Sequence, residues 1–342
     1  HQAGRKVNML LEQSRANIAQ LLHVKGQEIM FTSCASESNN YALKGFALAN
    51  QNRGKHIITS CAEHSSIMSS ARQLEETFGF EVTYLPLHSD GTVHVEDVVK
   101  ALRKDTILVS LMLVNNETGC INPIREIAAY VHQHSRAVFH CDMVQALGKM
   151  PLPIDTVDMA TFSAHKIFGL KGSALLYHKE HIRLLPLISA GQQENGLRGG
   201  TSNAPVEIVF AKTLRLALEE VDAHIRHVRR INDYVREKLV KLPDIEINSP
   251  QEALPFILNF SCLSIGSEIM LNALDARGIC VSAQSTCNSK GKAVSHVLLA
   301  MGKDELHATH AVRLSFSHLT TISEVDYFLN SLKEIIEEYA TK

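Results

Sequence analysis

The chain of 342 residues contains 45% apolar and 20% charged side chains, which excludes a disordered protein and a fibrous repeat. Its 34 basic and 36 acidic side chains give a formal net charge of −2, which argues against a protein that mainly binds nucleic-acid phosphates. The longest apolar run, 107–114, contains Ser110 and is too short to span a membrane. A chain of this length is expected to form about two domains.

Short apolar or β-branched segments alternate with helical patterns through the first half of the chain. The segments predicted to be strands are 28–31, 56–60, 81–85, 106–114, 137–141, 157–163 and 173–177. The segments predicted to be helices between them are 37–52, 64–78, 93–103 and 124–135. This alternation predicts an α/β fold with a mostly parallel sheet covered by helices on both faces. In such a fold, ligands bind beyond the carboxyl ends of the strands.

The pattern changes after Pro205. Apolar residues then recur at three- and four-residue steps and predict one long helix over 206–241, which ends near Pro243. Because a helix of this length commonly connects two cores, we place a domain boundary inside it. The large domain is then 1–222, and 223–342 form a smaller α+β domain. The elements predicted there are strands at 245–247, 256–260, 279–282 and 311–316, and a final helix that begins at a capping box of Thr321 and Glu324.

Two side chains that follow predicted strands suggest the chemistry of an aldehyde cofactor. Lys166 precedes Gly169 in a setting that suits a Schiff base, although most lysines are simply solvated. Asp142 could keep the nitrogen of a pyridine ring protonated. Taken alone, it is equally consistent with a helix cap. Gln145, three residues later, could donate to the phenolate oxygen of such a ring.

Two other strand ends carry polar residues. The segment 32–40, Thr-Ser-Cys-Ala-Ser-Glu-Ser-Asn-Asn, closes a strand and opens a helix. Its amides and hydroxyls form a candidate phosphate cradle or an ordinary helix cap. His64 could stack on an aromatic cofactor or be a hydrogen-bonded structural residue. The 18 histidines match no metal-binding frame, and we predict no metal site.

The chain has seven cysteines and no C-x-x-C pair, which is typical of a reducing compartment and predicts a cytoplasmic protein. Cys287 lies in a small polar stretch in which Lys290 and Lys292 would favour the thiolate. The other six cysteines lie in or beside apolar segments and are predicted to be core thiols. The sequence starts at His1 without a signal-peptide pattern, and we expect that the natural start has been removed.

Taken together, these residues resemble the cysteine desulfurase family. Its members are fold-type I pyridoxal-phosphate enzymes of the class V aminotransferase group that take sulfur from cysteine. The stretches that carry the resemblance are 31–39 (FTSCASESN), 63–64 (EH), 114–119 (VNNETG), 142–145 (DMVQ), 163–166 (SAHK), 198–201 (RGGT) and 285–287 (STC). The resemblance runs from His1 to the C-terminal helix. The departures from the usual family pattern are Cys34, Leu170, Gln284, Ser317 and His318.

The resemblance implies a role for each matched residue of the cofactor site. Lys166 would carry the cofactor and move the substrate proton, Asp142 would pair with the ring nitrogen, and His64 would stack on the ring as a further catalytic residue. The other contacts to the cofactor would come from Asn116 and Gln145 at the phenolate oxygen and from Ala35, Ser36, Ser163 and His165 at the phosphate. Thr201 would reach the phosphate of the neighbouring subunit, which implies a homodimer.

The resemblance also implies the reaction. Cys287 matches the nucleophile, and Arg313 with Asn116 would bind the substrate, because the planar arginine fork matches an α-carboxylate. L-cysteine would become L-alanine, and its sulfur would pass as a persulfide on Cys287 to an acceptor such as an iron–sulfur cluster scaffold. The alternatives are a selenocysteine lyase or another class V enzyme, and an impaired paralogue that binds a partner. No membrane and no direct nucleic-acid binding are expected.

Overall fold

The computed structural model describes residues 1–283 and 294–339. They form two compact units. The larger unit comprises 1–85, 94–113 and 122–221, and the smaller unit comprises 86–93, 114–121 and the described residues from 222 onward. The two short pieces of the smaller unit were not indicated by the sequence. Within the described ranges, every helix is too short or too polar to span a bilayer.

The larger unit is built on a seven-stranded sheet. Its strands are β1 Ile29–Thr32, β2 His56–Ser60, β3 Glu81–Leu85, β4 Thr106–Met112, β5 Val138–Asp142, β6 Met159–Ser163 and β7 Ala174–His178. Their order is β1-β7-β6-β5-β4-β2-β3, and β7 runs antiparallel to both of its neighbours while the other pairs are parallel. The predicted mostly parallel sheet is confirmed.

Helices surround this sheet. The α-helices of the larger unit are α1 Gln2–Leu22, α2 Ala35–Asn40, α3 Phe46–Asn50, α4 Ser65–Phe78, α5 Val95–Ala101, α6 Ile124–His134 and α7 Ala204–Glu219. A π-helical turn, Tyr41–Gly45, joins α2 to α3. The short 3-10 helices are Gly26–Glu28, Ile154–Thr156, Ala164–Ile167 and Gln193–Gly196. Every residue of β2, β4, β5, β6 and β7 is buried, as expected for a sheet that is covered on both faces.

The smaller unit has an antiparallel three-stranded sheet in the order β10-β9-β8. Its elements are α8 Val221–Leu239, β8 Ile245–Ile247, β9 Ile257–Cys262, α9 Ser267–Asp275, α10 His296–Ala300, α11 Glu305–Thr309, β10 Ala311–Ser315 and α12 Ile322–Tyr339. The predicted capping box at the start of α12 is confirmed, since Thr321 N donates to Glu324 Oε2 at 2.8 Å and Glu324 N donates to Thr321 Oγ1 at 3.2 Å.

Two predicted elements differ from the structure. The single helix over 206–241 is wrong: α7 and α8 are separate, and Glu220 between them has φ −126° and ψ 26°. Glu219 and Glu220 place negative charge where α7 ends, which the helix dipole disfavours, whereas Asp222 in the first turn of α8 is favourable. The strand predicted at 279–282 is also absent, and Ser282 makes only an isolated bridge with Arg313.

Candidate active site

The predicted cofactor residues of the larger unit gather along one edge of its sheet. β1 and β6 are both antiparallel to β7 and therefore parallel to each other, so the carboxyl ends of β1, β2, β5 and β6 share this edge. The residues that follow these ends are Ala35 and Ser36 after β1, His64 after β2, Asp142 and Gln145 at β5, and Ser163, His165 and Lys166 at β6. The topology thus brings together the positions that the sequence singled out.

Asp142 is the last residue of β5 and is buried. Its Oδ1 accepts a hydrogen bond from Val144 N at 3.0 Å, and its Oδ2 accepts one from Asn39 Nδ2 at 2.8 Å. Because a carboxylate oxygen can accept two hydrogen bonds, both oxygens retain capacity for a further donor. The fold therefore presents a held, buried carboxylate at the sheet edge.

Glu63 lies close to the Asp142 carboxylate. In the sequence it belongs to the matched stretch 63–64, but no role was predicted for it. Burial, with the charge of Asp142, raises the pKa of Glu63 to about 8. Hydrogen bonds from Ser60 Oγ and Met112 N to Glu63 Oε1 lower the pKa but do not outweigh the effect of burial. Its Oε2 is buried without a hydrogen-bond partner among the described residues. Glu63 is therefore mostly protonated at neutral pH. Its burial comes from tertiary packing, for which the sequence carries no signal.

Lys166 lies in the 3-10 helix Ala164–Ile167, directly after β6, and is half-buried. The turn closes when Gly169 N donates to Ala164 O at 2.9 Å. A Cβ on Gly169 would lie 2.8 Å from Ala164 atoms, so only glycine permits this close approach. Beside the lysine, Ser163 Oγ lies 2.8 Å from His165 Nδ1. Burial, helped by the charge of Lys166, lowers the pKa of His165, which is consequently neutral at neutral pH.

The other cofactor candidates of the larger unit differ in exposure. His64 is exposed and caps α4, and Gln145 is half-buried with its Oε1 3.4 Å from Lys149 Nζ. Thr201 is exposed, and its predicted contact with a neighbouring subunit stays a prediction. Arg198, in the same stretch as Thr201, pairs with Glu37 of α2 at 2.8 Å. This ion pair joins the stretch 198–201 to the predicted phosphate turn.

The two predicted substrate residues lie together in the smaller unit. Arg313 Nη1 donates to Asn116 O at 2.8 Å, and its Nη2 donates to Ser282 Oγ at 3.1 Å. Burial lowers the pKa of Arg313, although the charge of Glu117 opposes this. Its buried Nε has no partner among the described residues. A desolvated guanidinium of this kind favours an anionic partner that offers two oxygens.

Glu117 is a further residue that the sequence did not single out. Its Oε2 accepts a hydrogen bond from Ser295 Oγ at 2.6 Å. Burial raises the pKa of Glu117 to about 7. The hydrogen bond from Ser295 and the charge of Arg313 lower this pKa but have a smaller effect than burial. At neutral pH both the protonated and the ionised form of the Glu117 carboxyl are therefore populated. As for Glu63, the cause is burial by tertiary packing.

The prediction of six core thiols is only partly correct. The buried cysteines are Cys120, Cys141 and Cys262, whereas Cys34 and Cys280 are exposed and Cys61 is half-buried. Cys34 is exposed because the chain leaves the sheet after β1, and Cys280 because 279–282 form no strand. Cys287 lies outside the described residues. Within those residues, no group of three or more His, Cys, Asp or Glu side chains could hold a metal ion.

Comparison with known proteins identifies the family of the chain. The family described as Aminotransferase class-V matches residues 1–328. A protein of Dictyoglomus turgidum named "Cysteine desulfurase IscS" is 40% identical and covers 100% of this chain and 87% of its own length. "Cysteine desulfurase, mitochondrial" of Eremothecium gossypii is 37% identical over 98% of this chain and 69% of its own. A solved structure titled "NIFS-LIKE PROTEIN" aligns with a TM-score of 0.92 at 36% identity, covering 98% of this chain and 90% of that chain.

Pyridoxal 5′-phosphate is the cofactor of this family, and the larger unit offers side chains that fit it. The buried carboxylate of Asp142 suits a ring N–H, and the amine of Lys166 suits an aldehyde. In the pair of Ser163 and neutral His165, one hydrogen is used between Oγ and Nδ1, and the other, on the hydroxyl or on Nε2, can be donated to a phosphate. In sequence and in fold, the chain belongs to the cysteine desulfurase family of class V aminotransferases.

Proposed function

We propose that the protein is a pyridoxal-phosphate-dependent cysteine desulfurase that converts L-cysteine to L-alanine. The observation that carries the proposal is that Asp142 ends β5 and Lys166 follows β6, and that these two paired strands end at the same edge of the sheet. The likeness of 98–100% of this chain to proteins named cysteine desulfurase supports it. A solved relative titled "SspA in complex with cysteine", 32% identical with a TM-score of 0.81, supports the substrate.

The cofactor, when bound, supplies an electron-withdrawing ring that acidifies the substrate's α-carbon. Asp142 would hold the proton on the ring nitrogen, and His64 would lie against the ring. Lys166 Nζ would carry the cofactor until the substrate replaces it. The released amine would then move the proton of the substrate's α-carbon. Ala35, Ser36, Asn116, Gln145, Ser163 and His165 would complete the cofactor contacts, and Thr201 would contribute to the site of the neighbouring subunit in a homodimer.

Arg313 would bind the substrate carboxylate, with Asn116 beside it. The arginine is half-buried and its guanidinium is partly desolvated, which strengthens an ion pair with a carboxylate. Cys287 would attack the substrate sulfur as a thiolate: the S–S bond forms, the C–S bond breaks, and the β-carbon takes up a proton. Cysteine and one thiol thus yield alanine and one persulfide, with all atoms accounted for.

The persulfide would pass to an acceptor protein, and we propose an iron–sulfur cluster scaffold or another sulfur carrier. The odd number of seven cysteines does not suit a disulfide framework and supports a reducing, cytoplasmic location. Fungal relatives are named mitochondrial, so cell fractionation of the source organism is the direct test of the compartment.

Absorption spectra and sulfide release test the function. The purified protein should absorb near the visible edge, lose this band on reduction with borohydride, and release sulfide when cysteine is added. Lys166→Ala should abolish the band, and Cys287→Ser should keep it and lose sulfide release. A colourless protein that does not bind pyridoxal phosphate would contradict the proposal. Selenide release that survives Cys287→Ser would favour a selenocysteine lyase instead.

A further inference from the structure

Asn39 lies between two of the strand ends that carry predicted cofactor residues. Its side chain is 0% exposed. Its Nδ2 donates to Asp142 Oδ2 at 2.8 Å and to Ser66 Oγ at 2.9 Å. An amide NH₂ group has two hydrogens, and both are therefore used. Asn39 forms a bridge between the carboxylate at the end of β5 and the first turn of α4.

Ser66 extends this bridge to His64. Ser66 Oγ lies 2.8 Å from His64 Nδ1, and the Ser66 backbone N–H donates to the same nitrogen at 3.2 Å. Because a backbone N–H can only donate, Nδ1 must be an acceptor. Ser66 Oγ accepts from Asn39 and is left to donate its own hydrogen to Nδ1. The direction of each hydrogen bond is thereby set, and the ring hydrogen of neutral His64 lies on Nε2.

The orientation of the Asn39 amide leaves one atom unsatisfied. Asn39 Oδ1 is buried without a hydrogen-bond partner among the described residues. Turning the amide over would place this oxygen against the Asp142 carboxylate, where two acceptors would repel each other. Buried polar atoms are nearly always paired, so an unpaired one calls for an explanation. The amide keeps this orientation because it allows Nδ2 to donate to both Asp142 and Ser66, and Oδ1 is left unpaired as a result.

We propose that Asn39 is a positioning residue that holds the Asp142 carboxylate and, through Ser66, the Nε2–H form of His64. The inference rests on the proposed function, in which Asp142 pairs with the ring nitrogen and His64 stacks on the ring. Asn39 acts through these two side chains. A single substitution at Asn39 should therefore disturb two groups that lie on different strand ends.

Asn39→Asp is the sharpest test, because it replaces the donor by an acceptor of the same shape. The aspartate would repel Asp142 and would draw the Ser66 hydroxyl hydrogen away from His64. Asn39→Ala, which removes the group, is the second variant in case the first does not fold. The matched control is Asn50→Ala: Asn50 is a buried asparagine of α3 whose Nδ2 donates only to backbone oxygens, Phe46 O at 2.8 Å and Arg183 O at 3.0 Å.

Nitrogen NMR of the His64 ring should show the Nε2–H form in the wild-type holoprotein and in Asn50→Ala. A mixture of the two neutral forms is expected in Asn39→Asp. Equilibrium dialysis should show that Asn39→Asp retains pyridoxal phosphate at least about tenfold less tightly and Asn39→Ala about threefold less tightly. Asn50→Ala should stay within about twofold of wild type even though it unfolds at a lower temperature.

Wild-type NMR signals and cofactor affinity in both Asn39 variants would overturn the inference, and so would equal effects in Asn50→Ala. The two readouts also separate this inference from the proposed function. If the wild type itself fails to bind pyridoxal phosphate, the proposed function is wrong. The His64 signals still test the bridge in that case, because Asn39, Ser66 and His64 form it without any bound group.

Discussion

Glu63 is a buried acid whose protonation should govern how stability responds to pH. Burial and the charge of Asp142 raise its pKa to about 8 in the folded protein, whereas the pKa of a glutamate in the unfolded chain is about 4.3. The stability contributed by this difference is fully present below the unfolded pKa and is lost as the pH rises through the folded pKa. We predict that Glu63→Gln, which stays neutral, makes stability less sensitive to pH over this range.

Thermal unfolding of wild type and Glu63→Gln at pH 5 and pH 9 checks this prediction. From pH 5 to pH 9, the free energy of unfolding of the wild type should fall by about a few kcal/mol more than that of the variant. Glu252→Gln, at an exposed position, is the control and should follow the wild type. If Glu63→Gln and the wild type lose the same stability between the two pH values, Glu63 is not the titrating group.

Glu117 should affect binding of the substrate carboxylate more than the chemical step. Its Oε2 is held by Ser295, and the adjacent carbonyl of Asn116 accepts from Arg313. Glu117→Ala removes this anchor beside the arginine, and we predict that the KM for cysteine rises about tenfold with a smaller change in kcat. Glu117→Gln retains an acceptor and should stay within about threefold. Steady-state sulfide release measures both constants, and a loss confined to kcat would contradict this assignment.

At the scale of single elements, the 3-10 helix that carries Lys166 is followed by a strained position. Phe168, which ends it, is 66% exposed and has a φ of 66°, in the left-handed region that costs a non-glycine residue about 1–2 kcal/mol. We predict that Phe168→Gly stabilises the protein by about 0.5–1 kcal/mol, after the greater freedom of glycine in the unfolded chain is deducted. Thermal unfolding measures the change. Leu170→Gly, exposed but without positive φ, should not stabilise.

The elements also show where a sequence pattern is informative. The buried strands were predictable because a strand covered on both faces is mostly apolar, as β4 illustrates with five apolar residues and only Ser110 polar over 107–112. The break between α7 and α8 at Glu220 was not predictable, because a single non-helical residue leaves the three- and four-residue spacing of apolar side chains intact. The places of Asp142 and Lys166 at the carboxyl ends of strands were predictable from the sequence, whereas their roles stay predictions. The bridge through Asn39 and the protonation of Glu63 depend on which distant segments cover them.

At the scale of the whole molecule, the proposed homodimer can be tested by mixing two inactive variants. Lys166→Ala should abolish activity, and Thr201→Asp should remove most of it, because its charge would face the phosphate of the neighbouring subunit and prevent tight cofactor binding. If Thr201 acts across the interface, a mixed dimer contains one site with both residues intact. Co-expression of the two variants should therefore restore sulfide release, whereas each variant alone should be nearly inactive. No recovery in purified mixed dimers would place Thr201 and Lys166 in the same subunit's site.

The smaller unit is assembled from three separate pieces of chain, and this has a consequence during synthesis. Gly91 packs against Cys120 and Met301, and Gly119 O accepts from Leu254 N at 2.8 Å. The early pieces therefore emerge from the ribosome well before their partners. At roughly 5–20 residues per second the delay is on the order of ten seconds. For that interval Leu87, Val93 and Cys120, which are buried in the folded protein, lie on segments whose later partners have not yet been synthesised, which makes the segments 86–93 and 114–121 natural points for chaperone binding during translation.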